Sequence, residues 1–339
     1  MSTEQDSTFD DPTETTPVDV AHQTTGFGMT SSSSRGTEYL VLLITVVGAA
    51  ANGLVLYAMV AAKQLKKHVL IFNQNALDLV NCLFLSVSFS LELSNIYLSG
   101  TSGYWLCLIL LSYAVSWAAL YGSLISLAAI SIERYLKVVH HVWAKNKLRN
   151  WMIYSAMAFA WVAGIVCSAS VAIPTTSVVN GVCYSGMLLL SPTGRKAYWI
   201  WDFLSFYVTN IFLFIYCYGR ILVIIRRQAR VVAAHSGQAS NTAQDQSSKI
   251  QNSVIKTMIL VSALFSVTWA PIYIYTFLVD DYEALFHENV LSTVLFIAYL
   301  YVCINPFIYA TKFAPVKRVL WGVITCKKNV PAAESGGTT

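Results

Sequence analysis

Two carboxylates in this 339-residue chain sit inside long apolar stretches: Asp78, in the run NQNALDLVN, and Asp202, in the run YWIWDF. A lone carboxylate in such surroundings must carry a proton or meet a partner, and ionisable groups there mark functional sites. Around Asp78 stand Asn73, Asn75 and Asn81, with Asn52 and Asn305 as partners from elsewhere in the chain. Two readings follow, a cation or proton site and a polar knot joining helices, and they are compatible. Glu133-Arg134-Tyr135 closes another apolar stretch, where Arg134 reads either as a snorkelling anchor or as part of a switch. Pro271 and Pro306 lie deep in two further stretches, each removing a helix hydrogen bond, so hinged helices flank the polar residues. Catalytic patterns are absent: no HExxH, GxSxG or P-loop occurs, and His22, His68, His140, His141, His235 and His287 fall in tails and loops. The chain does not read as an enzyme.

The elements that carry these residues follow from composition. Hydrophobic residues make up 56% and charged residues 12%, about half the charge of a soluble domain. Mean hydropathy is +0.56. That balance excludes a soluble enzyme, a disordered chain, a disulfide-rich secreted scaffold and a basic nucleic-acid binder; the expected surroundings are a lipid bilayer. Apolar blocks cover 39–62, 69–91, 105–132, 151–173, 198–225, 254–279 and 290–311, each long enough to cross a bilayer as a helix. Lys and Arg fall three on one side of these spans and nineteen on the other, which places the N-terminus outside and the C-terminus in the cytosol. Twelve acids fall on the outer side and three on the inner, so the outer mouth is negative and suits cationic ligands, although acids are also simply tolerated there.

The fold class is thus an all-α membrane protein, a seven-helix bundle, in three parts: a disordered outer tail at 1–37, the bundle at 38–311, and a short amphipathic helix with a cytosolic tail at 312–339. The first 36 residues contain no apolar stretch of the signal-peptide kind. Residues 226–250 read as a flexible cytosolic loop. Cys82, Cys167, Cys217 and Cys303 pack as small hydrophobes within spans, whereas Cys107 and Cys183 both face the oxidising side and are expected to pair. Cys326, among basic residues after the last span, is a palmitoylation candidate or a free thiol.

With these residues in order, the chain resembles the rhodopsin-family G-protein-coupled receptors over about 38–328. Asn52 and Asp78 match the asparagine and aspartate of the first two spans, and Glu133-Arg134-Tyr135 is a conservative form of the DRY motif. Trp161 and Tyr218 match the fourth and fifth spans; Phe265, Trp269 and Pro271 fit FxxCWxP with Thr268 in place of cysteine; Asn305-Pro306-Phe307-Ile308-Tyr309 is a full NPxxY. The resemblance implies that an outside ligand shifts an equilibrium between two bundle arrangements. Trp269 would sense it, Pro271 would let the sixth helix swing, and Arg134 would leave Glu133 to meet a heterotrimeric G protein. Tyr218 and Tyr309 would support the open cleft, and Asp78, Ser123 and Asn305 would hold a sodium ion. Arrestin, a receptor kinase and the plasma membrane come with the family.

Departures are visible too. Asn210 stands where the family usually has proline, leaving the bulge of the fifth helix open, and Cys107 lies 27 residues before Arg134 where 25 is usual. Gln251 replaces an acid that locks Arg134 in some members, Tyr301 replaces an asparagine of the sodium cluster, and Val316 replaces a phenylalanine of the eighth helix.

By the same matching, the retinal-binding lysine of opsins falls at Tyr299, so no retinal is expected, and the aspartate of monoamine receptors falls at Ser116. The implied pocket contains Tyr113, Ser116, Trp117, Leu120 and Asp202. Phe206, Trp269, Tyr273, Thr276 and Tyr299 complete it. Asp202 reads as the counter-charge of a cationic ligand, or as a solvated acid near the helix end. A basic neuropeptide suits an acidic mouth and an aromatic pocket best, and a small amine is the alternative. A transporter or channel is the more distant one; it would show internal repeats and several buried charges, and neither is present.

Overall fold

The computed structural model describes residues 32–65, 67–185, 191–234, 242–278, 288–312 and 314–324. Among the described residues, seven helical segments are long and apolar enough to cross a membrane: Gly36–Ala61, Val69–Leu93, Gly100–Val139, Asn150–Thr175, Thr193–Gln228, Ile255–Leu278 and Val290–Lys312. They pack side by side, with their lipid-compatible residues outward and a continuous aromatic and aliphatic core that includes Met59, Leu127, Ile221, Phe265, Tyr301 and Tyr309. The first helix starts at Ser32, inside the stretch expected to be tail.

Two spans depart from regular α-helix, and both departures answer questions raised by the sequence. The third span runs as Gly100–Leu106, widens into a π-turn at Cys107–Leu111, breaks at Tyr113, and resumes as Ala114–Val139. Tyr113 takes a left-handed backbone (φ 57°), rare for a residue with a ring. A π-turn carries more residues per turn than an α-helix, so this segment takes up surplus length between Cys107 and Arg134. The Cys107–Cys183 disulfide forms, with Cα atoms 5.5 Å apart.

The fifth span bulges without proline. A π-turn at Phe203–Val208 widens the helix, with the Thr209 N–H reaching back to the Leu204 carbonyl, and the next two side chains add hydrogen bonds to its carbonyls. Thr209 donates its hydroxyl to the Leu204 carbonyl at 2.7 Å, and Asn210 donates its amide to the Phe206 carbonyl at 2.6 Å.

Small residues permit close helix approaches. Gly164 faces the backbone of Ala118 and Gly122, joining the fourth span to the third, and Gly48 meets the sulfurs of Cys82 and Cys303. Between the fourth and fifth spans, β1 (Ser177–Val179) and β2 (Val182–Tyr184) form an antiparallel hairpin. Its two-residue Asn180-Gly181 turn has positive φ at both positions, the geometry that matches strand twist. The Gly181 carbonyl accepts the Leu98 N–H at 2.9 Å, tying the hairpin to the start of the third span. At the opposite end lie a short helix, His141–Lys147, and the amphipathic helix Ala314–Ile324. Val316 of the latter is fully buried, filling with an aliphatic side chain the place where the family commonly has an aromatic one.

Candidate functional site

The polar residues inside the bundle organise into three tiers. The middle tier centres on Asp78, which is fully buried. One carboxylate oxygen accepts the Ser123 hydroxyl at 2.7 Å and the other accepts the Asn305 amide at 3.0 Å, so spans two, three and seven meet there. Gln74 donates to Ser123 and, at 3.3 Å, to the Tyr301 hydroxyl. Asn52 does not reach Asp78; its amide donates to the carbonyls of Gly48 and Val302, pinning the first span to the seventh. Asn73 lies outside the cluster and bridges helices: it donates to Ser126 at 3.2 Å and accepts the Trp161 indole N–H at 2.9 Å. The polar-knot reading of Asp78 holds through Asn305 and fails for Asn52.

The oxygens around Asp78 suit a hard monovalent cation. Besides the carboxylate and the Ser123 hydroxyl, the side-chain carbonyls of Gln74 and Asn305 are buried and accept no hydrogen bond among the described residues. Gln74 brings an oxygen to the cluster where Tyr301 has displaced the usual asparagine.

Toward the disulfide end, the pocket residues divide in two. In one group, Asp202 is only 3% exposed, which rules out the solvated-acid reading. One of its oxygens accepts the Tyr273 hydroxyl at 2.7 Å, while the other has no hydrogen-bond partner among the described residues. Tyr121 and Tyr198 stand beside it with their hydroxyls 2.6 Å apart, and Phe206 packs 4.5 Å from the Tyr121 ring. Below lie Trp117 and Trp269, 6.4 Å apart edge to face, with Ser116 and Leu120 buried nearby on the third span. The Ser116 hydroxyl and the Trp269 indole N–H are also buried without partners among the described residues. Thr276 is half-buried and donates to the Tyr273 carbonyl at 3.0 Å.

Tyr113 and Tyr299 belong to the second group, on the side of spans one, two and seven. The Tyr113 hydroxyl donates to Glu92, and both rings pack on Phe89. A small cavity beside them is lined by Glu38, Val41, Glu92, Leu295 and Tyr299 among others. The sequence reading missed Tyr121, Tyr198 and Glu92. Tyr121 was reachable from spacing, four residues after Trp117 on one helix face, as was Tyr198, four before Asp202.

An aromatic column links the upper and middle tiers. Phe265 packs on Trp269 at 6.2 Å and on Tyr301 at 5.5 Å, and the Tyr301 hydroxyl joins the Asp78 network through Gln74. Pro271 lies inside the helix Thr242–Leu278 and Pro306 inside Glu288–Lys312.

The last tier is built on Arg134, which is buried. Its guanidinium lies 3.5 Å from Glu133, but Glu133 is held more closely by Lys137, at 2.5 Å. The hydrogen bond of the guanidinium goes instead to His68 Nδ1, at 3.1 Å. Tyr218 meets Ser131 at 3.0 Å, Tyr309 is fully buried, and Tyr135 contacts His140 and Tyr216. The Gln251 side chain and Cys326 lie outside the described residues.

Residues 51–309 match the family described as 7 transmembrane receptor (rhodopsin family). The chain is similar to somatostatin receptor type 1 of Rattus norvegicus, 24% identical over 288 residues that make up 83% of this chain and 70% of that receptor. It is also similar to the rhodopsin of Petromyzon marinus, 25% identical over 227 residues, 64% of this chain and 60% of that protein. The fold superposes on squid rhodopsin with a TM-score of 0.67 at 16% identity, covering 87% of each chain. A seven-helix bundle that matches this family over residues 51–309 is a membrane receptor, not an enzyme. The chain belongs to the rhodopsin family of seven-transmembrane receptors, multi-pass membrane proteins that couple an extracellular ligand to a G protein.

Proposed function

We propose that the chain is a plasma-membrane receptor, N-terminus outside, for an extracellular ligand carrying an ammonium or guanidinium group, with a basic neuropeptide as the favoured class. The observation that carries this reading is the Asp202 oxygen that has no hydrogen-bond partner among the described residues, buried among Tyr121, Tyr198 and Tyr273. A cation placed there would meet a carboxylate and aromatic faces together, both of which attract positive charge in a desolvated site. Ser116 and Trp269 would supply a hydroxyl and an N–H one tier below. The enclosure of Asp202 also favours a second reading, a small amine seated wholly inside the bundle. The 24% identity to somatostatin receptor type 1 speaks for a peptide, weakly.

Ligand contact at Trp269 would pass through Phe265 and Tyr301 to the Asp78 network, and from there to Arg134, which would engage a heterotrimeric G protein and, after phosphorylation by a receptor kinase, arrestin. Asp78, Ser123, Asn305 and Gln74 are the residues that would hold sodium. When bound, sodium supplies the positive charge that balances Asp78 and favours the inactive bundle.

The test is G-protein nucleotide exchange in membranes containing the chain, screened with basic peptides and with small amines, alongside Asp202→Asn and Arg134→Ala. A response lost in both variants supports the cationic ligand. A response that survives Asp202→Asn keeps the receptor and removes the charge argument.

A further inference from the structure

The arginine tier contains a contact that the matched motifs do not explain. In some family members an acid on the sixth span restrains the arginine of Arg134's position; this chain has Gln251 there. Glu133 is drawn toward Lys137. His68, at the foot of the second span, faces Arg134 instead.

His68 is placed firmly. The first helix ends in a tight turn in which Lys63 has positive φ and Gln64 N–H bonds the Met59 carbonyl at 2.9 Å. His68 N–H bonds Gln64 and its carbonyl accepts Phe72 N–H, so backbone bonds hold the residue on both sides. Its Nδ1 accepts an Arg134 N–H, and only a neutral imidazole, protonated on Nε2, has an acceptor to offer there. Among the described residues, the charged groups facing the ring include Lys67 on its own segment and Arg134 and Lys137 from the third span, with Glu133 next to both cations. Burial, and then those three cations, lower the imidazole from its ordinary 6.5 to about 3, so it stays neutral in the cytosolic pH range.

We propose that His68 is the positioning residue that holds Arg134 in its resting arrangement, as a neutral hydrogen-bond acceptor on the second span rather than an acid on the sixth. The proposal rests on the reading of Arg134 as the G-protein switch. It has a mechanical consequence. A restraint between spans two and three is not broken by movement of the sixth, so a G protein must compete with His68 for Arg134 even after the sixth helix has swung.

Two measurements separate this contact from the switch reading. The first needs no G protein: 15N spectra of histidine-labelled purified receptor, with His68 assigned from the signal missing in His68→Asn. Expected is a neutral ring with an acceptor-type Nδ1 from pH 8 to 5, and a changed Nδ1 shift in Arg134→Gln. A His68 that protonates near 6.5, or is indifferent to Arg134→Gln, overturns the proposal. The second is ligand-free nucleotide exchange on a panel of purified heterotrimers. His68→Ala raises it about tenfold, the effect of losing one charge-assisted hydrogen bond. His68→Asn, which keeps an acceptor near the Nδ1 position, restores the low rate. Equal rates in wild type and His68→Ala, or an Asn variant that behaves like Ala, overturn it. Spectra as expected with no exchange from any variant would overturn the switch reading and, with it, the resting role of His68.

Discussion

Replacing Gly164 by alanine tests whether the third and fourth spans are held by backbone contact. A Cβ on Gly164 would lie 2.9 Å from the Gly122 nitrogen and nearer still to the Ala118 carbonyl oxygen, where ordinary contact begins at 3.4 Å. Both obstacles are backbone, so no rotamer change relieves them. The fourth span must retreat by roughly 0.5–1 Å. Gly164 sits on the helix face between Trp161 and Ser168, whose hydrogen bonds to Asn73 (2.9 Å) and to the Ala114 carbonyl (2.6 Å) both cross to neighbouring spans. A retreat stretches both. With about 1 kcal/mol for the strained hydrogen bonds together and 1–3 kcal/mol for overpacking, the loss is about 2–4 kcal/mol. At about 2–4 °C per kcal/mol for a large chain, the midpoint falls by roughly 4–16 °C. Thermal unfolding in detergent, read by a thiol-reactive dye at the buried Cys82, Cys217 and Cys303, measures it. Gly53→Ala is the control: nothing stands within 4 Å of its Cβ, so it should be neutral or slightly stabilising. A Gly164→Ala midpoint within a degree of wild type would refute the argument.

Three further outcomes follow from the same geometry. Removing the Cys107–Cys183 bridge with Cys107→Ser opens a closure of 76 residues, which costs up to about 4 kcal/mol by chain entropy and should lower the thermal midpoint even where surface expression survives. Gly181→Ala forces a side chain onto a backbone at φ 80° and into the Tyr97 ring, so the hairpin turn should loosen, seen as faster hydrogen exchange at the Leu98 amide. Between pH 6.5 and 3 the unfolded chain takes up a proton on His68 that the folded chain refuses, so stability falls as pH falls through that window; the midpoint difference between pH 7.5 and 5 should shrink in His68→Asn.

Hydropathy located all seven spans because the bilayer imposes one length and one composition on each, and the Asp78 cluster was legible because polar residues stand out there. The break at Tyr113 was not. Composition carries no trace of a helix that changes its turn, and the spacing between Cys107 and Arg134 hinted only at surplus length. The fifth-helix bulge was left open because proline is its usual cause, whereas here a π-turn makes it, with the Thr209 and Asn210 side chains bonded to its carbonyls. Asp202 was picked out by its charge, but the tyrosines that enclose it come from three helices, and only the packing brings them together. The Asn180-Gly181 turn was readable in principle, since that dipeptide between β-branched residues signals a hairpin. His68 escaped notice because a histidine in a loop is ordinary until its neighbour is known.

The widened turns at Cys107–Leu111 and Phe203–Val208 divide the two helices that carry them into separately indexed lengths. A residue inserted or lost within such a turn rotates every side chain on the disulfide side, and leaves the register on the Arg134 side untouched. Positions around Asp202 can therefore be retuned for a new ligand by small insertions while Ser116 and the machinery around Asp78 and Arg134 keep their alignment. Sequence comparison along this chain should accordingly place its gaps at those two turns and count residues independently from each end.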